Sequence, residues 1–477
     1  MLEQTLARAR RLGATYADIR WVDRVEEPIT IRNESVTSVA DRRDRGLGLR
    51  ILAEGGWGFA TCPDLREEDL AGAVQEALAM AKASGRVRAR PVTLSPVAPV
   101  EDSYRSPRRE DPFAVPLEQR LGFLRELVGA MRRQPLKIQL AIAQLSACRE
   151  HRVFASTEGT FVTQDVVETG LSLSATAVEG GEAQRRSFAN HAQAGFEFVR
   201  GLEPHAIAHE LAVEATDLLE APVCPAGVHD VVLGSQLLAA QIHETCGHPA
   251  ELDRALGHEA GFGGGSFLTT DGRGSLRYGS PEVTIVADAS LPGALGTFAY
   301  DDEGVRAQRV DVVRDGIFRS FLMSRDTAPL LGLASNGSVR GEGWRNPPLI
   351  RMTNLSLEPG DWTLPDLLRD TGAGLYLDTP SSWSLDDRRL DFGFGCEVVR
   401  EIRDGGLGRL YRNGAYGGST LEFWQACDAV TMKHHRKLWG LPDCAKGEPA
   451  QIARVAHGAS PARFRAIEVG ARALNSR

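Results

Sequence analysis

Ser235-Gln236-Leu237-Leu238-Ala239-Ala240-Gln241-Ile242-His243-Glu244-Thr245-Cys246-Gly247-His248-Pro249 is the stretch on which the fold and the chemistry of this chain turn. Over 235–247 it reads as a helix, with Leu238 and Ile242 four apart and only the small Ala239 and Ala240 one turn before His243. That helix carries His243, Glu244 and His248. In the zinc motif H-E-x-x-H the two histidines lie four apart, about 40° from axial alignment on one helix face. Here the separation is five, which sets the rings about 140° apart on an ideal helix. Both reach one metal only if the helix bulges or ends between them. Gly247, followed by His248 and Pro249, supplies such a break, because proline disfavours helical geometry at the residue before it.

The chemistry of the trio otherwise suits a hydrolytic metal centre. Zinc takes neutral imidazoles, keeps a position open for water and lowers that water's pKa to about 7. Glu244, next to the first histidine, is placed to take the water's proton and pass it to a leaving amine. The competing reading is structural: both histidines are helix-end residues, with His248 interacting with the helix C-terminus.

Outward from this segment the chain differs on its two sides. Beyond about residue 226 it is rich in glycine and short strands. Val310–Arg314 and Ile317–Leu322 flank Asp315-Gly316, and Val398–Ile402 and Leu407–Tyr411 flank Asp404-Gly405-Gly406, both hairpin signals. On the N-terminal side, helices are expected at 2–13, 66–84, 117–133 and 203–220. They alternate with strand patterns at 17–22, 29–31, 36–39, 47–52 and 57–60 and from about 137 to 192. Glu54-Gly55-Gly56 marks a further hairpin. Prolines 91, 96, 99, 107, 112 and 116 mark residues 86–115 as a linker or surface excursion. The expected class is α+β with two domains. The first, 1–222, mixes helix and antiparallel sheet; the second, 223–477, is β-rich and holds the metal residues.

Composition sets the outer bounds. With 477 residues, two domains are the default; 42% hydrophobic and 25% charged residues are ordinary for a globular protein. No apolar run approaches the roughly 20 residues of a membrane span. The charged N-terminus lacks an apolar signal core, so a cytoplasmic protein is expected. A net charge of −8 argues against nucleic acid. The seven cysteines include no CxxC pair and read as reduced thiols, mostly buried.

The order of blocks resembles the TldD/PmbA family of metallopeptidases, specifically its metal-bearing TldD type, over nearly the whole chain. After 243–248 come Ser280–Val286, Tyr300-Asp301-Asp302-Glu303-Gly304, Gln308-Arg309, Asp315-Gly316, Arg351-Met352-Thr353-Asn354 and Asp391-Phe392-Gly393-Phe394-Gly395. Tyr16–Ile19, Arg45–Arg50 and Gly56–Ala60 resemble the family's first domain. The resemblance implies one zinc ion per chain, with a third ligand from a cysteine near the C-terminus. The matching position is Cys444, in Cys444-Ala445-Lys446 where the family carries Cys-Gly-Lys. It also implies peptide substrates gripped as an added β-strand, and a dimer, either of two copies or with a metal-free relative.

Cys246 reads as a packed thiol, and Cys62, Cys148, Cys224, Cys396 and Cys427 as buried small apolar residues. His205 and His209 have i, i+4 spacing but no glutamate after His205, and read as exposed. Nothing in the spacing of His258, His434, His435 and His457 requires a place in the cleft. Asp301, Asp302 and Glu303 read as a solvated turn. The alternative function is a non-catalytic binding subunit of the kind that lacks the metal motif. Gyrase modulation, an older label in this family, is disfavoured for direct DNA action by the acidic charge and the absence of a nucleic-acid motif.

Overall fold

Alternation of apolar and polar residues in the first two hundred positions builds one large sheet in the computed structural model, which describes residues 1–133, 136–259, 261 and 264–470. The last seven residues of the expected second domain, 471–477, lie outside that description. Strands run in the order Ser35–Val39, Ile29–Arg32, Ile138–Ser156, Tyr16–Glu26, Arg42–Ala53, Gly56–Cys62. Phe161–Glu179 pairs with Ile138–Ser156, Glu182–Ala192 and Glu101–Arg105. Helices Leu2–Arg11 and Glu67–Val87 bury Leu6, Leu70 and Val74 against Ile19, Leu49 and Ile51. Helices Leu117–Met131 and Pro204–Glu220 bury Leu124, Leu127 and Leu211 against Leu145, Leu171 and Leu173. The proline-rich run contributes a short parallel strand, Glu101–Arg105.

From Gly227 onward two sheets share one core. In the first, Gly227–Leu233, Ala373–Leu385, Asp391–Arg403, Gly414–Ser419 and Ala462–Val469 are joined in sequence, and Ala462–Val469 pairs back onto Gly227–Leu233. Five strands thus close into a ring, and Gly406–Tyr411 and Cys427–Val430 add to Asp391–Arg403 and Ala462–Val469 as short edge strands. The second is six-stranded: Ile317–Phe318, Arg309–Arg314, Ile285–Asp288, Asn354–Leu357, Gln451–Ala459 and Lys437–Lys446. Most pairings are antiparallel and the class is α+β, as the sequence predicts. The three hairpin turns expected from the sequence each carry two successive residues at positive φ: Glu54 and Gly55 at 51° and 76°, Asp315 and Gly316 at 52° and 76°, Asp404 and Gly405 at 51° and 78°. That is type I′ geometry, whose twist matches the flanking strands.

Helix Ser235–Ile242 lies between the two sheets, packed on Ala373–Leu385 from one side and on Gln451–Ala459 and Lys437–Lys446 from the other. Its entry is fixed by Asp378, whose Oδ1 accepts from the Leu237 amide at 3.3 Å. Gly234 precedes the helix because a Cβ there would fall 2.3 Å from the Asp378 carboxyl carbon. The turn that follows this helix meets strand Lys437–Lys446 at Cys444.

Candidate metal centre

The five-residue spacing of the histidines is met by a widened turn. After Ile242 the chain forms a π-helical turn over His243–Gly247, closed by the His248 amide donating to the His243 carbonyl, then a 3-10 turn over His248–Ala250. One extra residue per turn brings positions five apart onto one face. The expected break at Gly247 does not occur: Gly247 and His248 keep right-handed helical angles, even before Pro249. Gly247 is glycine for a packing reason, since a Cβ would sit 1.9 Å from the Met352 sulfur. The turn is held by a buried polar cage. Trp424 Nε1 donates to Thr245 Oγ1 at 3.0 Å, Tyr278 donates to the Thr245 carbonyl, and Thr245 Oγ1 donates to the Gln241 carbonyl at 2.6 Å.

His243, His248 and Cys444 converge, each buried, with one ligand atom apiece within 4.8 Å of the others. Cys444 Sγ lies 3.7 Å from His248 Nε2, close to the roughly 3.6 Å between sulfur and nitrogen around a tetrahedral zinc. Two imidazoles and a thiol are a donor set that zinc favours, so the residues fit the ion. The outer ring nitrogens are engaged. His248 Nδ1 is 3.0 Å from Glu251 Oε2, which also accepts from Arg254 Nε at 2.8 Å and pairs with Lys446 at 3.3 Å. His243 Nδ1 is 2.8 Å from His457 Nε2. Arg351 donates to Cys444 Sγ at 3.3 Å. Cys444 stands on strand Lys437–Lys446, so Ala445 occupies extended backbone where alanine is at no disadvantage.

Electrostatics favour the protonation states the site needs. Burial pushes the Cys444 thiol up, but His248 and Arg351 outweigh it and hold the pKa below the ordinary thiol value. Burial likewise presses Glu244 upward, and the neighbouring His243, His248 and Arg389 outweigh it, so its carboxyl stays ionised below the usual range. Arg389 NH1 donates to Glu244 Oε2 at 2.8 Å. His243 is kept toward its neutral form chiefly by burial. All four residues face a cavity of about 420 Å³ shared with Arg389, Leu385, Asp386, Asp387, Asp443 and a half-exposed Trp383.

The acidic turn departs from its expected state in the folded chain. Asp301, Asp302 and Glu303 form a turn, but it is buried, not solvated: each is 2% exposed. Asp302 meets Arg20 and Arg152, Glu303 meets Arg50, and Asp301 accepts three backbone N–H bonds. Every cysteine is buried and free, and His205 and His209 are exposed. His258, His434 and His435 do not line the 420 Å³ cavity. Glu251 and Arg389 join the site without having been expected from the sequence. Glu251 is three residues past His248, a spacing that places it beside that ring in a helical turn; Arg389 comes from a hairpin tip 145 residues away and left no local signal.

Similarity to known proteins accounts for nearly the whole chain. Residues 17–81 match PmbA/TldA metallopeptidase domain 1, residues 110–219 the PmbA/TldA metallopeptidase central domain, and residues 226–470 the PmbA/TldA metallopeptidase C-terminal domain. A metalloprotease of Methanocaldococcus jannaschii is 29% identical, covering 87% of this chain and 89% of its own. A metalloprotease of Methanothermobacter thermautotrophicus is 28% identical over 95% of both chains. A zinc metalloprotease TldD homolog of Saccharolobus solfataricus is 22% identical over 98% of both. The fold is shared with TldE of Thermococcus kodakarensis (TM-score 0.79, 14% identity, 98% of this chain and 99% of that one). It is shared also with a Thermotoga maritima protein described as a candidate modulator of a DNA gyrase (TM-score 0.77, 16% identity, 98% and 99%). The chain belongs to the PmbA/TldA, or TldD/PmbA, family of metallopeptidases, and it is a peptide-bond hydrolase.

Proposed function

We propose that this chain is a TldD-type, zinc-dependent peptidase acting on short or unfolded peptides, with one zinc ion held by His243, His248 and Cys444. The observation that carries the reading is the convergence of these three ligand atoms within 4.8 Å, in the same cavity as the Glu244 carboxylate. Zinc, when bound, supplies a Lewis acid that polarises a carbonyl and brings the pKa of water to about 7. Glu244 takes a proton from the attacking water and delivers it to the leaving amine nitrogen. Arg389, anchored on Oε2, fixes the carboxylate's orientation. The proposal includes main-chain recognition of short or unfolded peptides with little sequence preference, and the cavity of about 420 Å³ beside the three ligands is the place for such a chain.

The proposal extends to the assembly: a homodimer or a heterodimer with a metal-free relative, in the cytoplasm, with a division of the chain at 222–227. Among the described residues no helix is long and apolar enough to cross a membrane. The decisive experiment is Glu244→Ala with zinc retained. Peptide cleavage should fall by a factor on the order of 10²–10⁴; cleavage at the wild-type rate by fully zinc-loaded variant would remove Glu244 from the mechanism. Wild-type protein without stoichiometric zinc would instead favour the binding-subunit reading.

A further inference from the structure

We propose that His457 is a positioning residue for His243, fixing which ring nitrogen His243 turns toward the metal and thereby the strength of metal binding. The inference rests on the zinc reading above. His457 lies on strand Gln451–Ala459 and is 0% exposed. Its Nδ1 is 3.3 Å from the Leu355 carbonyl, and its Nε2 is 2.8 Å from His243 Nδ1. A carbonyl only accepts, so His457 Nδ1 carries the hydrogen. A neutral imidazole has one such hydrogen, so His457 Nε2 presents a lone pair, and His243 Nδ1 must donate to it. His243 is thereby left with its own lone pair on Nε2.

This arrangement does for His243 what Glu251 does for His248, with a different partner. Glu251 is a carboxylate 3.0 Å from His248 Nδ1; His457 is an imidazole anchored to backbone. The two rings stand nearly perpendicular, at 88°, with centroids 4.9 Å apart. His457 itself is not part of the three-residue ligand set. Groups that orient a metal-bound imidazole commonly change metal affinity 10–100-fold when removed. A purely space-filling histidine would not.

The test uses His457→Leu, which keeps bulk and loses the acceptor, and His457→Gln, whose side-chain oxygen can accept from His243. Zinc dissociation constants come from chelator competition, and the visible spectrum of the cobalt(II) form reports ligand geometry. The expected result is a 10–100-fold weakening and a shifted cobalt spectrum for His457→Leu, with His457→Gln within about threefold of wild type. Wild-type affinity and spectrum in His457→Leu would overturn the proposal. Should that variant fail to fold, nitrogen NMR of the metal-free wild type decides: the hydrogen of His243 is expected on Nδ1, and finding it on Nε2 overturns the proposal. Absence of stoichiometric zinc in wild type would count against the zinc reading alone, because the NMR assignment is made without metal.

Discussion

Cys444 is the residue that closes the site, brought to His248 across 196 positions of sequence. As a thiolate it reduces the formal charge of a bound dication by one and supplies the softest of the three donors. Cys444→Ser should lower zinc affinity by at least about tenfold, read as zinc content after dialysis against a weak chelator. Equal zinc in wild type and variant would remove Cys444 from the ligand set. Arg389 acts at the same scale. It holds the Glu244 oxygen from a backbone position with φ of +61°, in a turn whose carbonyl accepts from Thr420. Arg389→Ala should leave zinc content unchanged and reduce kcat more than it changes KM, because a correctly oriented base matters in the transition state.

At the scale of elements, the π turn decides the geometry, and its support comes from residues outside it. A widened turn disturbs the regular helical ladder, so its carbonyls and side chains need partners elsewhere. Tyr278, Trp424 and Gln241 provide them around Thr245. Thr245→Val keeps the shape and removes the hydroxyl, leaving Trp424 Nε1 without its acceptor; a loss of about 1–3 kcal/mol in denaturant unfolding is expected. Gly247→Ala forces the turn away from Met352 and should cost about 1–3 kcal/mol by overpacking. Restoration by Met352→Ala in the double variant would identify the clash as the cause, and a double variant no more stable than Gly247→Ala would exclude it.

Across the whole molecule, the buried turn at 301–303 ties the N-terminal sheet to the glycine-rich half that carries the metal residues. Asp302 accepts from Arg20 and Arg152, which stand on adjacent strands of that sheet, and from the Gly341 amide at 2.7 Å. Removing one partner of a buried ion pair strands the other charge, so Asp302→Ala should cost about 3–5 kcal/mol. Burial presses the Asp302 carboxyl up, yet Arg152 and Arg20 outweigh it and its folded value is lowered. The sign follows: its contribution is fully present above the ordinary aspartate value near pH 4 and is lost as pH falls through the lowered folded value. Unfolding free energies measured across that range should drop steeply toward acid, and Asp302→Asn should flatten the slope. An unchanged slope would assign the acid sensitivity to other carboxylates.

The sequence by itself determined the α+β class, the three hairpin turns and the need for a distortion between His243 and His248. Each is a local matter: the alternation of side chains, two residues able to take positive φ, or the angle subtended by five residues on a helix. Glu244 and the two histidines were legible because they are neighbours in sequence, and Cys444 only through resemblance to a family. Tertiary structure decided the form of that distortion, a widened turn fixed by Met352, Tyr278 and Trp424, where the local pattern pointed to a break at Gly247. It also decided the partners of the site. Arg389, Arg351 and His457 reach it from remote strands and hairpins, and no local periodicity records which side chains will meet there. The acidic turn at 301–303 reads as solvated for the same reason: its charge is visible in the sequence, but the arginines that allow its burial lie 150 and more residues away.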